Sequence, residues 1–196
     1  MPSTMTSPRI RVAGPEDATL LARLGAELFA QTFAASNRAK DLQAYLEAAF
    51  GHDVQLAELL DPRRRTWIAE DESGTAIGYA QLFVGHTPPP AEAGILPRPS
   101  ELVRIYTDAG WHGRGIGAAL LRAAIDAARA ATSSHVWLGV WKKNPRGIAF
   151  YEKHGFSITG AKVFRLGNDV QEDWVMVRPL VGRKRRGPSV KAAHRK

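Results

Sequence analysis

Apolar residues recur along this chain with two periods, and the alternation between them lays out an α/β protein. RIRVA, Arg9 to Ala13, alternates as a short strand does. Pro15-Glu16-Asp17 then opens a helix, with proline and acids where first-turn amides and the helix dipole favour them, and Leu20, Leu21, Leu24 and Leu28 carry it to about Phe33. A second helical pattern runs from Ala39 to Phe50, with Leu42, Tyr45, Leu46 and Phe50 on one side, and a short third, VQLAELL, closes at Asp61-Pro62. TWIAEDESGTAIGYAQLFVG predicts a hairpin turning at Glu72-Ser73-Gly74. The proline-rich stretches Thr87–Pro90 and Leu96–Ser100 predict an irregular, exposed loop.

The second half continues the alternation. ELVRIYTD, Glu101 to Asp108, predicts a strand, and a glycine-rich loop leads from it into a helix over about Gly115 to Ala131. HVWLGVW, His135 to Trp141, is apolar almost throughout and predicts a strand buried on both faces. NPRGIAFYEKHG predicts a short helix, and strands over Ser157–Leu166 and Gln171–Arg178 meet at Gly167-Asn168-Asp169. The main order is β-α-α-β-β-β-α-β-α-β-β without internal repeats. Helical crossovers together with hairpins require a mixed sheet.

With 196 residues, 44% of them hydrophobic, the chain can bury one substantial core, so one domain over residues 9–180 is expected after a flexible 1–8. The absence of cysteine excludes disulfides, thiolate zinc sites and a cysteine nucleophile. The six histidines are scattered without ligand spacing, so no metal is expected. No apolar run reaches the roughly 18 residues of a membrane span, and no export signal is apparent, so a cytoplasmic protein without membrane contact is expected. The net charge of +8 belongs to the end of the chain: seven of the 27 basic residues lie in 181–196, leaving 20 against 19 acidic. Such a tail is expected to be disordered, with at most weak nucleic-acid contact, because no aromatic residue is interleaved to stack on bases.

GWHGRGIGAAL, residues 110–120, holds four glycines where a strand hands over to a helix. Bare backbone there leaves amide groups uncovered at the positive end of a helix dipole, a site suited to phosphate or diphosphate, and Arg114 adds a fixed charge. A Walker loop is excluded because no lysine follows these glycines. Gly113 to Ala118 does satisfy GxGxxA, the dinucleotide fingerprint, but a four-residue spacer separates it from the strand and the next strand ends without a ribose-binding acid. The third pattern is R/Q-x-x-G-x-G/A, with His112 in the first position.

Read that way, the loop resembles the coenzyme A diphosphate loop of the GNAT superfamily of N-acetyltransferases, and NPRGIAFYEKHGF, Asn144 to Phe156, resembles that family's asparagine-to-tyrosine helix. The stretches WLGVWKKNPRGIAFYEKHGFSITG, FRLGNDVQEDWVMV, TFAASN and DLQAYLEAAF are similar to bacterial spermidine/spermine N-acetyltransferases. The resemblance implies a GNAT-like fold, a mixed, mostly antiparallel twisted sheet flanked by helices. It also implies acetyl-CoA as cosubstrate and a small-molecule amine acceptor such as a polyamine; an oligomer is compatible with it.

Residue by residue, the resemblance implies diphosphate contacts from His112, Gly113, Arg114, Gly115, Ile116 and Gly117, mostly through main chain. His112 departs from the usual glutamine or arginine, which is expected to adjust affinity without abolishing binding. The pantetheine arm is implied to add alongside Ile105, Tyr106 and Thr107, with Asn144 facing it as well as capping its own helix. Tyr151 is implied as the acid that protonates the thiolate; Glu101 can take the amine proton, though it reads equally as a surface strand-start residue. Glu27, Asp41, Glu47, Phe33 and Tyr45 are candidates for a cationic acceptor's pocket. Three other outcomes stay open at this point: a different acceptor, such as a protein N-terminus, a lysine or an antibiotic amine; a non-catalytic module that binds acetyl-CoA or nucleic acid; and a nicotinamide enzyme, which failure to bind NAD would remove.

Overall fold

The computed structural model describes residues 8–88 and 97–180. The expected flexible start, most of the proline-rich loop and the basic tail therefore lie outside the described residues. Seven strands, β1 Arg9–Val12, β2 Arg64–Glu70, β3 Ala76–Val84, β4 Pro99–Thr107, β5 His135–Trp141, β6 Ser157–Leu166 and β7 Asp169–Pro179, form one sheet in the order β1-β2-β3-β4-β5-β7-β6. Every neighbouring pair is antiparallel except β4 with β5. The helices are α1 Ala18–Phe33, α2 Ala39–Ala49, α3 His52–Leu60, α4 Ile116–Ala130 and α5 Pro145–Lys153. Among the described residues no helix is long and apolar enough to cross a membrane.

Strand alternation divides the core between the two faces of the sheet. Val136, Leu138, Val140, Leu82 and Met176 pack with Leu120, Leu121 and Ile125 of α4. On the other face, Tyr79 and Ile68 pack with Leu21, Leu24, Leu28 and Phe29 of α1 and with Leu42 and Phe50. Burying these side chains contributes about 1.5–3 kcal/mol each and makes the sheet a partition between two helical layers.

Several local differences from the sequence reading have physical causes. Asp17 does more than sit in a helix's first turn: its carboxylate takes both ends of the Arg11 guanidinium at 2.7 and 2.8 Å, tying α1 to β1. That fork holds the Asp17 carboxyl below its ordinary range. The third helix is a full nine residues, starting at His52. Pro99 and Ser100 belong to β4 and are buried, not exposed loop: proline is tolerated as the first residue of a strand, and the Ser100 hydroxyl meets that of Ser133 at 2.7 Å.

One polar cluster lies inside the α1–α3 layer. Glu58 of α3 pairs with Arg104 of β4 at 2.5 Å and stands 3.6 Å from Arg64 of β2, while the Gln81 amide donates to Glu58 at 3.1 Å. Both members of the Arg104–Glu58 pair are nearly enclosed, so removing one leaves the other uncompensated in low dielectric. Glu58→Ala is expected to destabilise the protein by about 3 kcal/mol in urea unfolding, and Glu58→Leu combined with Arg104→Met to recover most of that loss. A Glu58→Ala cost below about 1 kcal/mol would contradict this account of the cluster.

Candidate active site

The single parallel pair is also the shortest part of the sheet. β4 and β5 pair only through Pro99 with His135, Ser100 with Val136 and Glu101 with Trp137. Immediately beyond, the β3–β4 register slips: Gln81 faces Arg104 and Leu82 faces Leu102, so Val103 is an extra residue in β4. Such a bulge bends its strand and strengthens its twist, and here it coincides with the end of pairing to β5. The strands diverge from that point, and a cleft of about 570 Å³ opens between them, lined by residues 101–107 of β4 and 139–141 of β5.

The backbone facing this wedge follows from one hydrogen bond. Asp108 N donates to Ile77 O at 2.8 Å, so in the alternating antiparallel pattern Tyr106 turns its main-chain groups toward β3, while Ile105 and Thr107 turn theirs toward β5. The Thr107 carbonyl already meets His112 Nε2 at 3.1 Å. That leaves the N–H and C=O of Ile105 and the N–H of Thr107 directed into the wedge. Tyr106 differs from its two neighbours: its ring packs beside Phe29 at 5.9 Å and Phe33 at 6.5 Å on the α1 face.

On the α4 face, Gly113 and Gly115 have φ of +79° and +82°, in the left-handed region that other residues enter at a cost. No side chain caps α4, whose N-cap is Gly115, so its first-turn amides stay open at the positive end of a 15-residue helix. A Cβ at Gly113 or Gly115 would meet nothing within 4 Å, so backbone conformation rather than crowding calls for glycine there. Ile116 is 1% exposed and contributes its side chain to the core, leaving only its amide for a ligand. The Arg114 guanidinium stacks 4.7 Å above the Trp111 ring. His112 and Gly117 line the cleft on either side of these residues.

α5 closes the same side. Asn144 caps it, accepting from Gly147 N at 2.9 Å, with Pro145 in the first turn. Gly147 is the residue that permits this, because a Cβ there would fall 2.7 Å from Asn144 Nδ2. Asn144 and Tyr151 both line the cleft, and burial pushes the Tyr151 phenol above its ordinary value, so it keeps its proton through neutral pH.

The opposite mouth is aromatic and carries charges of both signs, Glu101 and Asp173 with Arg104 and Lys162. Phe29, Phe33, Tyr45 and Phe164 form a chain of ring contacts, 4.6 Å from Phe29 to Phe33, 4.6 Å from Phe29 to Tyr45 and 5.4 Å from Tyr45 to Phe164. Trp141 joins through Phe33 at 6.1 Å. Glu101 lines the cleft and holds His86 Nδ1 at 2.6 Å, while His86 stacks on Phe83 at 4.7 Å. Asp173 of β7 and Lys162 of β6 line it too, and burial pushes the Asp173 carboxyl up to about 6 despite the attraction of Lys162.

Of the five residues expected to receive a cationic acceptor, Phe33 and Tyr45 line this mouth and the three acids do not. Glu27 faces Arg23 at 3.6 Å, and Glu47 accepts from Gln43 at 2.6 Å, both on helix surfaces. Asp41 is buried but structural, accepting from Asn168 N at 3.0 Å in the β6–β7 turn. Besides Glu101, a second sheet acid reaches the cleft, Asp173, which was not among the expected site residues. Its signal lay in VQEDWVMV, where the two-residue period puts an aspartate in phase with the buried Val175 and Val177. Among the described residues no group of three His, Asp or Glu is placed to hold a metal ion.

Residues 26–156 match the family model described as Acetyltransferase (GNAT) family. An uncharacterized N-acetyltransferase of Mycobacterium tuberculosis is 34% identical over 165 residues, covering 84% of this chain and 99% of that protein. The chain belongs to the GNAT acetyltransferase family. An uncharacterized N-acetyltransferase from the pepI 3′ region of Lactobacillus delbrueckii subsp. lactis is 29% identical over 177 residues, 90% of this GNAT chain and 100% of its own. In three dimensions, the PaiA N-acetyltransferase of Thermoplasma acidophilum, crystallised with coenzyme A, has the same fold, with a TM-score of 0.70, 21% identity and coverage of 89% and 99% of the two chains.

The buried carboxyl gives this GNAT protein a stability signature. Asp173 titrates near 6 when folded, above its ordinary value of 3.8, so the native state holds more protons than the unfolded chain between those values. Stability therefore falls as pH rises from about 4 to about 6 and levels off above. Asp173→Asn is expected to be the more stable protein by about 2–3 kcal/mol at pH 8, with the advantage gone at pH 4. Urea unfolding at the two pH values checks this, and a pH-independent difference would refute it.

Proposed function

We propose that this protein transfers the acetyl group of acetyl-CoA to a primary amine of a small cationic acceptor, of the polyamine kind, by direct attack in a ternary complex. The observation that carries the reading is the gap between β4 and β5, which joins an open glycine-rich helix terminus on one face to an aromatic mouth containing Glu101 and Asp173 on the other. The residues fit the cosubstrate. The uncapped amides of Gly113, Arg114, Gly115, Ile116 and Gly117 suit a diphosphate, and the Arg114 charge reinforces them. Ile105 and Thr107 offer main-chain groups to an extended arm as a missing strand would receive them. Asn144 meets that arm from α5, and His112 fixes the loop by holding Thr107.

When bound, acetyl-CoA supplies an acyl carbon attached to a thiol leaving group. Tyr151 holds a proton for the departing sulfur: burial keeps its phenol protonated, and the same desolvation raises the proton affinity of the thiolate released beside it, so the phenol donates within hydrogen-bond reach. Glu101 accepts the proton that the amine nitrogen gives up as the new C–N bond forms and the C–S bond breaks. His86, 2.6 Å away, steadies that carboxylate. The aromatic mouth suits a cationic acceptor because ring faces attract ammonium groups while excluding water.

The test is the initial rate of CoA thiol release with spermidine, spermine, a lysine peptide, a free N-terminal peptide and no acceptor. Release that depends on polyamine is expected; release with a peptide alone would reassign the acceptor, and binding of acetyl-CoA without release for any amine would refute the transfer. Tyr151→Phe is expected to lower kcat by at least about 100-fold while acetyl-CoA affinity stays within about twofold. Equal turnover in both proteins across the pH range would remove Tyr151 from the acid role.

A further inference from the structure

Asp173 is 7% exposed, lines the cleft, and is met by Lys162 through space rather than as a contacting ion pair. A buried carboxylate held this way costs the fold stability unless a ligand repays it. The surroundings explain how it is held. Asp173 faces Lys162 on β6 and Trp141 on β5 in direct cross-strand register. One step along β5 on the same face, Gly139 supplies no side chain. A Cβ there would fall 2.9 Å from Lys162 Nζ and 3.1 Å from Asp173 Oδ2, so both charged ends converge on the space that Gly139 leaves. The Lys162 ammonium also lies 5.4 Å from the Trp137 ring centre.

The void over Gly139 is thus already arranged around a primary ammonium on an alkyl chain, with aromatic rings and a carboxylate about it. The other groups that face it are accounted for. Tyr45 reaches in from α2, its phenol raised by burial and, after the opposing pull of Arg104, by the Asp173 charge. Glu101 on β4 is engaged by His86, and Arg104 by Glu58.

We infer that Asp173 anchors a cationic group of the acceptor over Gly139, and that Lys162 is a built-in competitor for the same place. This rests on the amine-acetylation reading and adds its specificity determinant. The acceptor class it selects is an alkylammonium carrying at least one positive charge besides the nitrogen that is acetylated. Lys162 holds the place until such a group arrives and turns away weakly charged amines, which gain too little from Asp173 to displace it.

The two residues are expected to act in opposite directions, which a merely structural role would not produce. Isothermal titration of spermidine into the full chain with saturating CoA should show binding at pH 7.5 that weakens at least about tenfold in Asp173→Asn and tightens several-fold in Lys162→Met. Wild-type affinity should also fall as pH is lowered through about 6, and that dependence should vanish in Asp173→Asn. Equal affinities, a Lys162→Met variant that weakens binding, or no spermidine binding by the wild type would each overturn the inference. Failure of the acetyl-transfer reading shows separately, as absence of thiol release with every amine, and the Lys162→Met arm stands if Asp173→Asn does not fold.

Discussion

A β-sheet is stable because each strand's polar backbone finds partners on both sides, and this protein interrupts that pairing at its centre. β4 and β5 stay together for three residue pairs and then part at the Val103 bulge, leaving Ile105 and Thr107 with main-chain groups turned into a cleft. Unpaired backbone is costly when dry and inexpensive when water or a ligand can reach it, so the break is tolerable only where the cleft is open. The rest of the architecture holds the two halves in place around it. The strands β1 to β4 form a continuous antiparallel half, β5 to β7 another, and α4 crosses between them with its N-terminus at the opening.

Because the break passes through the sheet, the two faces can carry different groups and still meet. One side presents His112, Gly117 and the open N-terminus of α4; the other presents a row of rings with Glu101 and Asp173 beside Arg104 and Lys162. In the proposed function, the diphosphate end of the cosubstrate and a cationic acceptor enter by opposite mouths of one cleft, and their reactive ends meet inside it. The proposed roles of Tyr151 and Glu101 follow this division, since the acid belongs on the side where a thiolate leaves and the base on the side where an amine arrives. Stability is given up for it: two glycines with positive φ, a buried Asp173 and the unpaired strand edges each make the fold less stable than a closed sheet would be.

Much of this was legible in the sequence, because local features set it. Hydrophobic period, with turn and cap residues, marks the strands and the helices, and the clustering of glycines before an alanine-rich helix marks the open N-terminus of α4. Asn144-Pro145 marked the start of α5 by cap chemistry that needs no tertiary information. What was hidden depends on register. Nothing local distinguishes Asp41, which ends as a structural acceptor for a backbone amide 127 positions away, from an acid that lines a pocket. Asp173 enters the cleft only because β7 lies between β5 and β6, and because Gly139, one step along β5 from its cross-strand partner Trp141, has no side chain. The Val103 bulge is likewise invisible in ELVRIYTD, since it is a property of the pairing with β3.

In the proposed function, the wedge between β4 and β5 receives the cosubstrate as a strand would. Residue-resolved amide hydrogen exchange, with and without acetyl-CoA, measures whether it does. Strong new protection is expected at the amides of Ile105 and Thr107, with little change at Tyr106, whose main-chain groups face β3. Protection confined to other parts of the chain, with Ile105 and Thr107 exchanging as before, would contradict it.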